Sequence, residues 1–245
     1  MTLLIGTSGW SYPEWKPAFY PADVPQRDFL SHYATRFTAC EVNGTYYRLP
    51  TTETTARWAA STPPAFRFCI KATRPLVQGR VEWTASTLLV RDRLLDALEP
   101  LGERLATVVL RYPDGVPRDD ARLETILRAW DAGAPPLVFD FHDPSWFHAD
   151  VLSAIADHGH TVSVNETAGD VPETLPPGSL TYVRLRGEHY DDVARDAWLD
   201  AGTTAALRGP TFLIGRHADI PAGDPHAGVG LVDWMVRTLD ERAAR

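Results

Sequence analysis

Ile5-Gly6-Thr7-Ser8-Gly9-Trp10-Ser11-Tyr12-Pro13-Glu14-Trp15 carries the end of the first apolar run and decides between two architectures. An open doubly wound sheet announces itself at this place with a glycine-rich phosphate turn in dinucleotide or Walker spacing. Gly6-Thr7-Ser8-Gly9, followed by Trp and Pro, has neither spacing. The stretch therefore favours the closed alternative, an α/β fold of the (β/α)8 TIM type.

The rest of the chain supports that choice by repetition. Apolar and β-branched runs bounded by turn residues predict strands at 3–7, 39–43, 66–71, 106–111, 137–142, 161–165, 180–186 and 211–215. Helical periodicity predicts helices at 25–37, 53–61, 86–100, 119–131, 149–158, 191–207 and 228–243. A strand followed by a helix, repeated about eight times in a chain of this length, is the barrel pattern. The sixth unit is irregular, because the residues between Val164 and Leu180 are too rich in Pro and Gly for a regular helix. A single domain over 1–245 is expected.

Composition excludes several classes. A hydrophobic fraction of 44% and a charged fraction of 23% suit a globular core rather than a disordered chain. No window offers the roughly 18 apolar residues of a membrane span, and Met1-Thr2-Leu3-Leu4 has no basic leader, so no membrane partner and a cytoplasmic location are expected. Cys40 and Cys69 fall in different predicted strands and read as buried thiols. A net charge of −8 disfavours nucleic-acid binding through a global basic field. Lys16 and Lys71 are the only lysines, so most positive charge sits on arginine, whose planar fork suits phosphate or carboxylate.

Polar residues gather at the strand ends. Side chains alternate between the interior and the helix layer, so residues two apart share a direction. Glu41 and Asn43 then point inward together, as do Cys69 with Lys71, Asp140 with His142, Ser163 with Asn165, and Tyr182 with Arg184 and Arg186. Barrel active sites lie at the C-terminal strand ends, which predicts one mouth for these groups. Catalytic candidates are Glu41, Lys71, Asp140 and His142. Ser8, Trp10, Tyr12, Asn43, Tyr46, Arg111, Trp146, Asn165, Arg184 and Arg186 are substrate-binding candidates. The loop aromatics Trp10, Tyr12, Trp15, Phe19, Tyr20, Tyr46, Tyr47 and Trp146 either stack on a ligand or plug the barrel end. Metal is not assigned, since His142, Glu41, Glu166 and His217 have no diagnostic ligand spacing. No motif specifies a cofactor or an oligomeric state, and Gly-X-Ser-X-Gly, His-Glu-X-X-His and kinase signatures are absent.

Residues 5–15, Phe19-Tyr20-Pro21, Glu41-Val42-Asn43-Gly44-Thr45-Tyr46-Tyr47-Arg48-Leu49-Pro50, Trp58, Phe68 to Lys71 and Ser145-Trp146 resemble the YecE-like family, domain of unknown function 72. That resemblance implies a (β/α)8-type barrel without an established reaction. The later motifs depart from the family pattern. Glu-Phe-Arg-His becomes Asp140-Phe141-His142-Asp143, and Gln-Phe-Pro-Pro becomes Arg111-Tyr112-Pro113-Asp114. Arg-Leu-His-Gly becomes Arg184-Leu185-Arg186-Gly187, and Phe-Asn-Asn-Asp gives way to Ile214-Gly215-Arg216-His217-Ala218-Asp219. These departures fall at the expected mouth, where an ancestral activity would be changed.

The functional expectation is an enzyme acting by acid/base chemistry on a small anionic or polyhydroxylated substrate, such as a phosphorylated sugar or nucleotide fragment. Arg184, Arg186 and Lys71 would hold the anion. The alternatives are a nucleic-acid-binding or nuclease-like barrel and a catalytically silent scaffold.

Overall fold

Strand and helix alternate along the chain, and every strand of the sheet pairs parallel with its neighbours. The computed structural model describes residues 2–77, 83–130, 133–166, 170–217 and 221–244. Position 131 of the predicted fourth-unit helix, and Ala218 and Asp219 of the last divergent motif, lie outside them.

The strands are β1 (Leu3–Ser8), β2 (Ala39–Val42), β3 (Arg67–Lys71), β4 (Leu105–Arg111), β5 (Leu137–Asp140), β6 (Thr161–Val162), β7 (Val164–Glu166), β8 (Thr181–Leu185) and β9 (Thr211–Gly215). Between and after them run α1 (Phe29–Tyr33), α2 (Thr52–Ala60), α3 (Arg74–Val77), α4 (Ala85–Leu98), α5 (Asp120–Ala129), α6 (Ala149–Asp157), α7 (Asp192–Ala205) and α8 (Gly228–Ala243). Several helices start on a side chain that accepts an otherwise unpaired N–H: Thr51 from Thr54, Asp119 from Arg122 and Asp191 from Ala194. The short α3, with a proline inside it, is not visible to a periodicity argument.

One sheet runs in the order β6-β5-β4-β3-β2-β1-β9-β8-β7. Its two ends are consecutive in sequence, so the nearly closed ring is joined covalently through Ser163. Where the sequence predicts one strand over 161–165, the chain splits into two. β6 pairs with β5, β7 pairs with β8, and the chain changes neighbour at Ser163. Ser163 still donates its backbone N–H to Phe139 O at 2.9 Å, while its hydroxyl turns inward to Asp140. No helix occupies the described residues between β7 and β8, in line with the proline-rich sequence there.

Residues of one parity, including Leu4, Ala39, Cys69, Val109, Val138, Tyr182 and Phe212, pack together inside the ring. The other parity, including Ile5, Cys40, Val42, Phe68, Ile70 and Leu213, packs against the helices. Both cysteines are buried free thiols, one in each layer. Gly6 is required where β1 meets β2, because a Cβ there would stand 1.8 Å from Ala39 O. The room is used by Tyr33 of α1, whose hydroxyl accepts from Thr7 N (2.7 Å) and donates to Ala39 O (3.0 Å). Gly9 then turns the chain at φ +101°, where an L side chain would be strained.

Candidate functional site

The inward parity that fills the floor of the ring with carbon changes to charge at the C-terminal strand ends. Glu41 on β2, Asp140 on β5 and Arg184 on β8 come together with carboxylates wholly buried and the arginine 3% exposed. Arg184 bridges them. Its Nη2 donates to Glu41 Oε1 at 2.9 Å, and its Nη1 donates to Asp140 Oδ2. The remaining carboxylate oxygens are also engaged. Tyr182 OH donates to Glu41 Oε2 at 2.9 Å, and Asp140 Oδ1 accepts from Ser163 Oγ (3.0 Å) and Asn165 Nδ2 (2.5 Å). Arg184 Nε and Asn43 Oδ1, both buried, have no hydrogen-bond partner among the described residues.

These contacts explain the ionisation of the cluster. Burial pushes the Asp140 carboxyl up, but Arg184, His142 and Asn165 outweigh it and hold the group well below the usual aspartate range. Burial acts on Arg184 in the opposite sense, and Glu41 and Asp140 keep it firmly charged. Burial pushes the Lys71 ammonium below its ordinary value; Glu41 opposes this, while Arg184 and Arg111 add to it. Arg186 is likewise lowered by burial and then by Arg184.

Two cations at this mouth make no direct contact with an acid, although Glu41 and Asp140 act on both from a distance. Among the described residues, neither Lys71 nor Arg186 has a side-chain ion pair or hydrogen bond. Lys71 Nζ instead lies 4.9 Å from the centre of the Tyr46 ring. Arg111 differs, because Nη2 pairs with Asp114 Oδ1 at 3.0 Å. His142 stands between two carboxylates, with Nε2 3.4 Å from Asp140 Oδ1 and Nδ1 3.5 Å from Asp114 Oδ1.

The remaining predicted residues lie around this centre in different ways. Ser8 Oγ contacts His217 Nδ1 at 3.1 Å, and Tyr12 stacks on that imidazole while donating to Ser8 O. Asn43 Nδ2 reaches Ser8 O at 3.4 Å. Trp10, Tyr12 and Asn43 line a cavity of about 510 Å³ beside β1 and β2, together with Trp58. A second cavity, about 600 Å³, includes His142, Ser163, Asn165 and Arg186. Trp146 is fully buried, stacks on Phe141 and donates Nε1 to Val116 O, so it offers no face to a ligand. Trp15 and Tyr20 are plugged in the same way, whereas Tyr47 is 83% exposed.

The four residues considered for a metal are not gathered. His217 sits with Ser8 and Tyr12, Glu166 accepts from Tyr190 OH, and no group of three His, Cys, Asp or Glu suited to a metal occurs among the described residues. Ser163 and Tyr182 belong to the network although they are not among the site candidates; their parity with Asn165 and Arg184 is the signal that points to them. Asp114 and Tyr190 had no such signal, because both lie in loops.

A parallel α/β ring with buried charged groups gathered at the C-terminal strand ends defines the class: a TIM-like barrel. Residues 4–219 match the family described as "Protein of unknown function DUF72", and the chain belongs to that family. The UPF0759 protein YunF of Bacillus subtilis is 25% identical over 207 residues, covering 76% of this chain and 71% of its own. The crystal structure of a DUF72 family protein from Thermotoga maritima superposes with a TM-score of 0.77 at 18% identity, covering 98% of this chain and 100% of the other. One from Enterococcus faecalis gives 0.74 at 16%, over 96% and 94%. These likenesses establish the barrel. No helix among the described residues is long and apolar enough to cross a membrane.

Proposed function

We propose that the chain is an enzyme that binds a small organic anion at the barrel mouth and acts on it by proton transfer. The observation that carries this reading is the pair Lys71 and Arg186, partly buried cations with no direct ion pair or side-chain hydrogen bond among the described residues. Partly desolvated cations are stabilised by an anion, and a phosphate or carboxylate supplies it. Glu41 and Asp140 are then the counter-charges that fix Arg184, since every oxygen they carry already accepts a hydrogen bond. Asp140 is also too acidic to exchange a proton near neutrality. Lys71, shifted toward neutrality, and His142, 25% exposed at its side chain, are better placed to move one.

Nucleic-acid binding is supported less well. The net charge is −8, and three of the eight loop aromatics that would stack bases, Trp15, Tyr20 and Trp146, are buried in the fold. The test is a thermal-shift series with inorganic phosphate and a panel of phosphate monoesters and carboxylates. Wild-type protein should gain stability with at least one anion, by about 2.7 kcal/mol at a hundredfold excess over Kd. Lys71→Ala or Arg186→Gln should abolish most of the gain. No stabilising anion, or a gain that survives both substitutions, would refute the proposal.

A further inference from the structure

Building on the anion reading above, we infer that the ligand is an organic anion with an apolar, ring-sized body rather than a bare phosphosugar. The cavity of about 600 Å³ joins two unlike walls. One wall is polar and belongs to the charged mouth: His142, Asn165 and Arg186. The other is carbon: Phe141, Phe147, Leu152, Val164 and Leu175, closed by Pro176 and Pro177.

A polyhydroxylated body needs hydrogen-bond partners along its length, because each unpaired hydroxyl removed from water costs free energy. Among the residues lining this side, Thr174 has the one polar side chain, too little for a polyhydroxylated body, whereas an aryl or branched aliphatic group would lose water against the remaining carbon surface. Phe147 strengthens the argument. Its ring is 46% exposed although it lines this cavity, which leaves an aromatic surface that the fold itself does not cover. The other cavity, beside Trp10 and Trp58, includes neither Arg186 nor His142 in its lining.

Calorimetric titration with phenyl phosphate and with inorganic phosphate separates head from body. Wild type should bind phenyl phosphate at least about tenfold more tightly, the advantage expected from burying part of one ring. Phe147→Ser and Leu175→Asn alter partly exposed positions at the cavity without adding charge, so the fold should survive, as circular dichroism would verify. Each should erase the phenyl advantage while leaving inorganic phosphate affinity unchanged. Equal affinity of wild type for both probes, with Arg186→Gln weakening both, would overturn the apolar-body inference and leave the anion site standing. Equal loss of both probes in Phe147→Ser and Leu175→Asn would also overturn it. If neither probe binds, the anion reading fails and this inference fails with it.

Discussion

Replacing Arg184 by methionine removes the cation that joins Glu41 to Asp140 while keeping an unbranched stem of similar length. The two carboxylates are wholly buried and Arg184 is 3% exposed, so water cannot replace the lost partner without opening the barrel. Breaking a buried pair from one side costs about 3–5 kcal/mol. At about 2–4 °C per kcal/mol for a chain this long, Tm should fall by roughly 6–20 °C. The pH dependence is the sharper signature. In wild type the Asp140 carboxyl sits below its unfolded value, so its contribution is complete above about pH 4 and is lost only as pH falls through the folded value. In Arg184→Met burial is opposed only by His142, Ser163 and Asn165, so the folded carboxyl should rise past its unfolded value and acidification should relieve the penalty. The gap between wild type and variant in urea denaturation should therefore narrow from about pH 7.5 to about pH 5.5. Adding Asp140→Asn should recover part of the loss at the higher pH. A gap below about 1 kcal/mol, or one identical at both pH values, would show that Arg184 does not neutralise the centre.

Other perturbations probe separate parts of the same reasoning. Tyr33→Phe should cost about 1–3 kcal/mol in urea denaturation, because Thr7 N and Ala39 O lose the hydroxyl between them; a loss under about 0.5 would contradict that role. His160, lowered to about 4 by burial with Nδ1 accepting from Leu137 N, binds a proton less readily folded than unfolded. Stability should thus decline as pH drops from about 6.5 toward 4, and His160→Gln should flatten that decline in a pH series of melting curves. Lys71 is also lowered, so the unfolded chain holds its proton to higher pH. Without ligand, Lys71→Met should be the more stable protein near neutrality, with the advantage shrinking as pH climbs toward 10.5. Burial raises the Cys40 thiol to about 12 and the Cys69 thiol well above its ordinary value, so neither should react with a thiol reagent until the protein unfolds.

How much of this was legible in advance depended on whether a property repeats along the chain. Alternation in β2 distinguishes Glu41 from Cys40 and Val42, and the structure puts the acid inside and the other two against helices. The same parity assigns Asp140, Asn165 and Arg184 to one interior, because a strand offers only two directions. The split at Ser163 has no such signature. It arises because one short segment must pair with β5 at its start and β8 at its end, a demand of ring closure that no local composition expresses. Loop residues were less legible still. Trp146 has the aromatic character of a ligand platform, yet its burial is decided by Phe141 beneath it and Val116 from another loop.

Parity also says where a charged group points without saying how many partners await it, and that number governs its chemistry. Glu41 and Asp140 look in sequence like the natural acid and base, since carboxylates at strand ends commonly serve so. Arg184, Tyr182, Ser163 and Asn165 take up all their oxygens, and on the reading proposed above both acids serve as anchors. Lys71 has the opposite history: it shares the interior with two acids and makes an ion pair with neither, so its ammonium is left against the Tyr46 ring. An unpaired, partly buried cation is the least stable arrangement in the mouth, and an arriving anion is what would relieve it. Chemistry should therefore follow the residues the fold leaves unsatisfied, and pH–rate profiles of any activity found should move with Lys71 or His142 substitutions. A profile set by Glu41 instead would reverse that assignment.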